Sequence, residues 1–495
     1  MSVKPRFDTY RYVGEICRLH GQSVVECRLP GSEISSILAV YAKAIPADTV
    51  CADGEARYSG RLLLSVVYED GDKKVCRIER GAEFFHKVEG ALLSPSCFAK
   101  TALSSENVNW RREGSGLYIS VVVGADVAVF GSKQMEYLLD GEGLICQKKP
   151  ITVCKTVCVS GEIENEDEFE SDYVGDVLMH SEKAIVHRVE VSGGLLDLEG
   201  ETALHICVLK GDDSICSYER LIPFRMQVPC DEAFGKVCVG ARAIIKNSHL
   251  TAGTDEERGK SKMVFSYCLS ADCFVTVFDE LNVVDDAFAV DREICFQKQN
   301  DGGRYATKQI KCIERISGVA AISPILEGEY VLQATLLPRA EIAIRKTENG
   351  MEAEGIVLAE VLLCSADGAH RSATLSLPFL FPVDADGDYA EAEGIVCGLN
   401  VRRKKNGETE AEATLKICVR SFGQRAWEYI VKAEEGEEIP QTDSAFTIFL
   451  PRAGEELWDL AKRLRCAPEE LQKSNPNLQF PIKKGEKIFV YRQIK

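Results

Sequence analysis

The sequence predicts a mainly β fold: three tandem β-rich, sandwich-like domains followed by a small α+β module in the order strand, helix, helix, strand. Apolar runs of strand length recur at short intervals, separated by glycine and polar turns. One arrangement of these runs occurs three times along the chain. Within residues 445–495, the apolar spacing changes from that of a strand to that of a helix at Leu457.

The repeated arrangement places the first three domains. Each copy has a strand that starts near a glycine, at Gly60, Gly200 and Gly355, followed by a second apolar strand, a polar turn and a return strand. The positions of these glycines predict domains at residues 1–148, 149–305 and 306–436. An acidic linker at residues 437–444 then leads to the module at residues 445–495.

The second strand of each copy differs in its proline content. Copies two and three contain Pro223-Phe224 and Pro378-Phe379 inside apolar runs, whereas residues 79–88 of the first copy contain no proline. Because proline cannot donate a hydrogen bond to a central ladder, these runs are predicted to be edge strands or bulges.

The C-terminal module begins with a strand and an amphipathic helix. Phe446, Ile448 and Leu450 alternate on one face of the predicted strand. The helix is predicted from apolar residues at helical spacing, which are Leu457, Leu460, Ala461 and Leu464.

A second helix and a closing strand complete the module. The helix begins near Pro468, where a missing N–H costs nothing, and ends at Asn475-Pro476. Gly485 indicates a turn, and residues 488–491 form the closing strand. Trp458 and the leucines are predicted to fill the small core.

Three motifs in this module stand at the spacing of a known family. They are Gly454-x-x-Leu457-Trp458, Asn475-Pro476-x-Leu478 and Gly485-x-x-Ile488. On these motifs residues 445–495 resemble a LysM module. The resemblance implies a groove for N-acetylglucosamine polymers between the loops at residues 452–457 and 474–482. The predicted groove residues are Gly454, Glu455, Glu456, Leu457, Asn475, Pro476, Asn477 and Leu478.

One departure from the family concerns the ligand. LysM modules usually have Asp-Thr after the first glycine, and this chain has Glu455-Glu456 there. Losing the small hydroxyl favours a protein ligand over a glycan. Both ligands remain open at the level of sequence.

The proline-containing strands of copies two and three resemble the SPOCS domain of spore-coat assembly proteins, and the first copy departs most from it. SPOCS repeats followed by LysM resemble the spore morphogenesis proteins of endospore-forming bacteria. The resemblance implies a non-enzymatic adaptor in the mother-cell cytoplasm, at the forespore surface or spore coat. Its partner would be a coat or forespore-surface protein held by the LysM module. The alternative is a peptidoglycan-binding protein that LysM anchors to the spore cortex or cell wall.

The charge and the lengths of the apolar runs argue against a nucleic-acid-binding protein and against a membrane protein with a spanning helix. The net charge of −18 argues against nucleic acid as a partner. The module differs from the rest because residues 445–495 carry a net charge of +4. No apolar run reaches the roughly 18 residues of a membrane helix, and the first residues show no signal peptide, so an intracellular protein is expected.

No residue pattern indicates catalysis, a metal or a cofactor. The 20 cysteines include no Cys-x-x-Cys pair and replace aliphatic residues in strand-like runs, so they are predicted to be free and mostly buried. Residues 253–261 imitate a phosphate-binding loop with the wrong spacing, and residues 384–389 imitate a calcium loop that lacks its glycine. Both are expected to be solvated turns.

Overall fold

A computed structural model describes residues 3–30, 34–113, 116–171, 175–235, 237–255, 260–324, 330–348, 350–365, 368–404, 408–440 and 446–491. The described chain is mainly β, with two short helices near its C-terminus, which confirms the prediction of a β-rich chain. Neither of these helices is long and apolar enough to cross a membrane.

The first 18 strands form three units of six strands each. The first unit contains β1 (Lys4–Pro30), β2 (Ile34–Ala52), β3 (Glu55–Asp70), β4 (Val75–Glu89), β5 (Phe98–Glu113) and β6 (Gly116–Glu142). The second contains β7 (Ile145–Ser171), β8 (Gly175–Ser192), β9 (Leu195–Lys210), β10 (Ile215–Pro229), β11 (Val237–Asp255) and β12 (Lys260–Phe288). The third contains β13 (Arg292–Ser323), β14 (Tyr330–Thr347), β15 (Gly350–Ser365), β16 (His370–Val383), β17 (Tyr389–Arg403) and β18 (Thr409–Glu438).

All three units share one antiparallel pairing scheme. The sixth strand lies between the first and the fifth, and the third lies between the second and the fourth. Each pair of sheets encloses its own apolar core. In the third unit the two sheets also join through a short pairing of β13 with β16, at Ala321–Ser323.

The breaks between units differ from the predicted domain boundaries. Residue 148 lies inside β7 and residue 305 lies inside β13, whereas the strands change unit at residues 143–144 and 289–291. The repeated motif begins at the third strand of each unit, so it does not reveal where the long first strand starts. Residues 437 and 438 of the predicted linker belong to β18, and residues 441–444 lie outside the described residues.

The repeated glycine has the same packing role in each unit. It lies in the third strand, where the phenylalanine opposite it in the fourth strand crosses over its backbone. An added Cβ would come closer than 3.0 Å to that ring. The pairs are Gly60 with Phe84, Gly200 with Phe224, and Gly355 with Phe379. The proline-containing strand β10 is an edge strand, as predicted from its proline. The other one, β16, lies between β15 and β13, which differs from the prediction, but β13 pairs with it only at Thr374–Ser376 and not at Pro378.

Equivalent positions of the three units meet in two apolar clusters. The first cluster takes one residue from the third strand of each unit, and the second takes one residue beside a β-bulge in each sixth strand. These residues are Val67, Cys207 and Leu362 in the first cluster, and Leu138, Val284 and Ile430 in the second. The three units therefore pack against one another around a shared centre and are not independent domains along the chain.

The C-terminal module contains β19 (Phe446–Phe449), α1 (Leu457–Leu464), α2 (Pro468–Ser474) and β20 (Ile488–Tyr491). β19 and β20 form a two-stranded antiparallel sheet. Leu460, Leu464, Leu471 and Ile488 fill its core, as their spacing predicts, and Phe288 from the end of β12 joins them.

Candidate binding surface of the C-terminal module

The two loops predicted to form a groove lie side by side. The Gly454 amide donates a hydrogen bond to the Ile482 carbonyl at 2.8 Å, and the Ile482 amide donates to the Glu455 carbonyl at 3.0 Å. Gly454 has a φ of +90°, a backbone conformation that favours glycine. The backbone therefore brings the first four predicted groove residues to the loop that contains the other four.

The adjacent glutamates have different surroundings. The Glu455 carboxylate accepts hydrogen bonds from the Arg452 amide at 2.8 Å and from Arg463 Nη2 at 2.7 Å. Glu456 is exposed at the N-terminus of α1, and its side chain makes no capping hydrogen bond. Leu457 is half-buried against the module core. Of these three side chains, Glu456 is the one most open to a ligand.

Asn475 is a structural residue of the module. Its side chain is buried, and its Nδ2 donates to the carbonyls of Leu471 at 2.8 Å and Phe489 at 2.7 Å. Its Oδ1 accepts a hydrogen bond from the Phe489 amide at 2.7 Å. The amide thus joins α2 to β20 and has little remaining capacity for a ligand.

The other residues of this loop differ in exposure. Pro476 and Asn477 are exposed. Leu478 is half-buried against the module core, and its amide donates to the Asn475 carbonyl at 3.2 Å. The exposed residues of the predicted groove are therefore Gly454, Glu456, Pro476 and Asn477.

One face of α1 is docked on the second unit. Trp458 Nε1 donates to Asp286 Oδ2 at 2.9 Å, and the Trp458 ring packs edge-on against Phe288 with centroids 5.3 Å apart. Lys462 Nζ lies 2.7 Å from both oxygens of the same carboxylate. Trp458 was expected inside the module core, but it lies at the border between that core and the β12 end.

Asp286 is held in its ionised form. Partial burial alone would raise its pKa, but hydrogen bonds from Lys462 and Trp458 outweigh burial and lower the pKa below its usual value. Arg465 adds a third contact by donating to the carbonyls of Ala289 at 3.1 Å and Arg292 at 3.4 Å. Trp458 and Lys462, one turn apart on α1, and Arg465 at its C-terminal cap therefore fix the module to the six-strand units, here called the body.

The sheet of the module exposes an apolar face. This face, here called the apolar ribbon, contains Phe446, Ile448, Leu450, Phe489 and Tyr491, all of which are exposed. Phe446 stacks on Phe489 with ring centroids 5.8 Å apart and lies 5.2 Å from the Tyr491 ring. The sequence places Phe446, Ile448 and Leu450 on one face, but alternation alone does not tell which face of a short strand points outward.

Comparisons of the chain with protein-family profiles, with curated protein sequences and with solved structures found no match. Within the described residues, no group of three or more His, Cys, Asp or Glu side chains is arranged to hold a metal ion.

Proposed function

We propose that this chain is a non-enzymatic adaptor in endospore coat assembly, of the type that combines SPOCS domains with a LysM module. It acts in the mother-cell cytoplasm, where its module binds a coat or forespore-surface protein. The observation that carries this proposal is the apolar ribbon, which presents three aromatic and two aliphatic side chains to solvent on a small sheet.

The ribbon favours a protein partner. Contiguous exposed apolar surface with aromatic residues is typical of protein–protein contact sites. Glycan recognition needs polar groups that converge on hydroxyls, but the Asn475 amide and the Glu455 carboxylate already bond within the module. The groove therefore offers few free polar side chains, whereas the ribbon offers a ready apolar contact.

The docking of α1 supports the adaptor proposal. The contacts of Trp458, Lys462 and Arg465 join the module to the β12–β13 end of the body. The ribbon lies on the sheet and the contacts to the body lie on the helix, so docking leaves the ribbon open. A partner would thus be held at a defined position relative to the three units.

The second candidate is a peptidoglycan-binding protein that uses the LysM-like groove. The observation in its favour is that the two loops pair through Ile482 and leave Gly454, Glu456, Pro476 and Asn477 exposed. Asn477 could then bond to sugar hydroxyls. This candidate places the ligand at the loops rather than at the ribbon.

Two single substitutions in the full chain separate these candidates. Ile448→Ser removes apolar surface from the ribbon, and Asn477→Ala removes a polar group from the loops. The probes are solubilised spore-coat protein and purified peptidoglycan, each tested by pull-down. The adaptor proposal expects coat-protein capture that Ile448→Ser lowers at least tenfold and Asn477→Ala leaves unchanged. Peptidoglycan binding that only Asn477→Ala lowers would instead establish the second candidate.

A further inference from the structure

A cavity of about 1160 Å3 lies where the three six-strand units meet. Most charged side chains in its lining have a partner of opposite charge. Lys100 Nζ lies 2.8 Å from Asp272, and Arg420 Nη1 lies 2.6 Å from Glu393. Such pairs stabilise the lining and need no ligand.

Three other cations in the lining hold equivalent positions. Each lies on the second strand of its unit, opposite the residue three places after the repeated glycine. The pairs in the ladders are Lys43 with Leu63, Lys183 with Ala203, and Arg339 with Leu358. Each unit therefore contributes one basic side chain to the same cavity.

The strands that carry these cations converge. Shortly before the cation, β2, β8 and β14 contribute Leu38, Leu178 and Leu336 to a single apolar cluster. Lys183 and Arg339 also line a smaller cavity of about 530 Å3 beside it. The strands that carry the three basic residues therefore meet at one cluster, and each strand contributes its basic residue to the lining of the cavity.

Only one of the three cations is paired in the part of the chain that the structure describes. Lys43 donates to the buried carboxylate of Glu182. Lys183 and Arg339 expose their side chains to the open cavity, and neither side chain makes an ion pair or hydrogen bond among the described residues. Protein atoms around Lys183 lower its pKa by desolvation, although Glu393 opposes this shift.

Because both side chains are exposed to the cavity and have no ion-pair partner there, they are available to a counter-charge from outside the protein. The ammonium groups of Lys43 and Lys183 each carry a localised charge and N–H donors. The Arg339 guanidinium can donate two parallel hydrogen bonds to one anion. Tetrahedral oxyanions have several oxygens that can accept from three directions.

We propose that the central cavity binds a small dianionic oxyanion of the phosphate class between Lys183 and Arg339, with Lys43 as the third donor. The ligand would join the three units at their shared centre. This site is separate from the apolar ribbon and does not depend on the proposed adaptor role.

The test is calorimetric titration of the full chain with inorganic phosphate at low ionic strength. Wild-type chain should bind phosphate, and Lys183→Met and Arg339→Met should each weaken binding at least tenfold. Lys148→Met is the matched control because Lys148 is exposed and does not line the cavity. It should leave the affinity unchanged. Acetate, which carries a single charge, should bind far more weakly than phosphate.

A variant that is expected to strengthen phosphate binding distinguishes an electrostatic effect from damage to the fold. Glu341 lines the same cavity, two residues beyond Arg339 on β14. Glu341→Gln should strengthen phosphate binding by removing a negative charge. Phosphate should also raise the melting temperature of the wild type and not that of Lys183→Met. The proposed site would be overturned if the wild type bound no phosphate. It would also be overturned if Lys183→Met, Arg339→Met, Lys148→Met and Glu341→Gln all bound phosphate equally.

Discussion

At the scale of single residues, two asparagines that are close in sequence have different roles. Asn475 is buried and bonds to three backbone groups, whereas Asn477 is exposed. The sequence motif contains both and does not distinguish them, since the roles depend on how α2 meets β20. A loop motif can predict the position of a binding site, but it does not tell which side chains of the loop are exposed to a ligand.

Asn475→Ala should destabilise the module by about 1–3 kcal/mol, because it leaves buried backbone groups of Leu471 and Phe489 without partners. Asn477→Ala is the matched control and should change stability little. Hydrogen exchange of α2 and β20 amides measures both effects. Equal protection in the two variants would contradict the structural role of Asn475.

Asp286 should control docking of α1 in a pH-dependent way. Its folded pKa is lowered, so its contribution to docking is fully present above the unfolded value of about 3.9 and is lost as pH falls through the lower folded value. Asp286→Asn should weaken docking at pH 7 by about 1–2 kcal/mol, in the lower part of the range for charged hydrogen bonds because Lys462 is partly exposed.

Hydrogen exchange of α1 in the full chain measures that change. The control is Asp285→Asn, which alters the neighbouring carboxylate that pairs with Lys149 rather than with the module. The difference between wild type and Asp286→Asn should shrink as pH falls below the unfolded value of about 3.9 and disappear once Asp286 is protonated in the folded chain. A difference that persists there would show that the carboxylate charge is not what holds α1.

At the scale of elements, the sequence predicts that strands are present, but it predicts poorly where the long strands and the units begin and end. Alternation and glycine turns indicate the β units, and apolar spacing indicates α1. The boundaries at residues 148 and 305 fall inside β7 and β13 because those strands continue from one end of a unit to the other. The outward direction of the apolar ribbon and the contact of Trp458 with Asp286 depend on pairings between distant residues, which local patterns do not contain.

The repeated glycine offers a test of the element packing. Gly200→Ala places a Cβ against the Phe224 ring and the Ile185 carbonyl, so it should destabilise the second unit by roughly 1–3 kcal/mol through overpacking. Gly211→Ala is the control, because nothing lies within 4 Å of its added Cβ. Urea unfolding of both variants checks the prediction. Equal midpoints would contradict the close crossing of Phe224 over Gly200.

At the scale of the whole molecule, equivalent residues of three units form shared clusters and a shared cavity. The sequence shows that the glycines recur, and Lys43 and Lys183 stand equally far before theirs, with Arg339 one residue nearer. The strand pairings are needed to show that all three lie opposite the same position. All 20 cysteines are free of disulfides, as predicted, but they are not mostly buried: nine are buried, ten are half-buried and Cys295 is exposed. Burial raises the pKa of many others, for example Cys397 to about 12.

The rate at which each cysteine thiol reacts should follow its exposure in the folded chain. In the native chain one thiol should react rapidly with a disulfide reagent, and Cys295→Ser should remove that fast phase. Under denaturing, non-reducing conditions the wild type should yield close to 20 thiols. Several fast thiols in the native chain would contradict the packing of the three units.

The most direct measurement for the adaptor role is photo-crosslinking in sporulating cells of an endospore-forming host. A photoreactive residue replaces Ile448 in the ribbon, Asn477 in the loops or Lys148 on the body as a control. Position 448 should crosslink to a coat or forespore-surface protein, with much weaker crosslinking from position 477 and none from position 148. Crosslinks to peptidoglycan from position 477, with no protein crosslinked from position 448, would contradict the adaptor role.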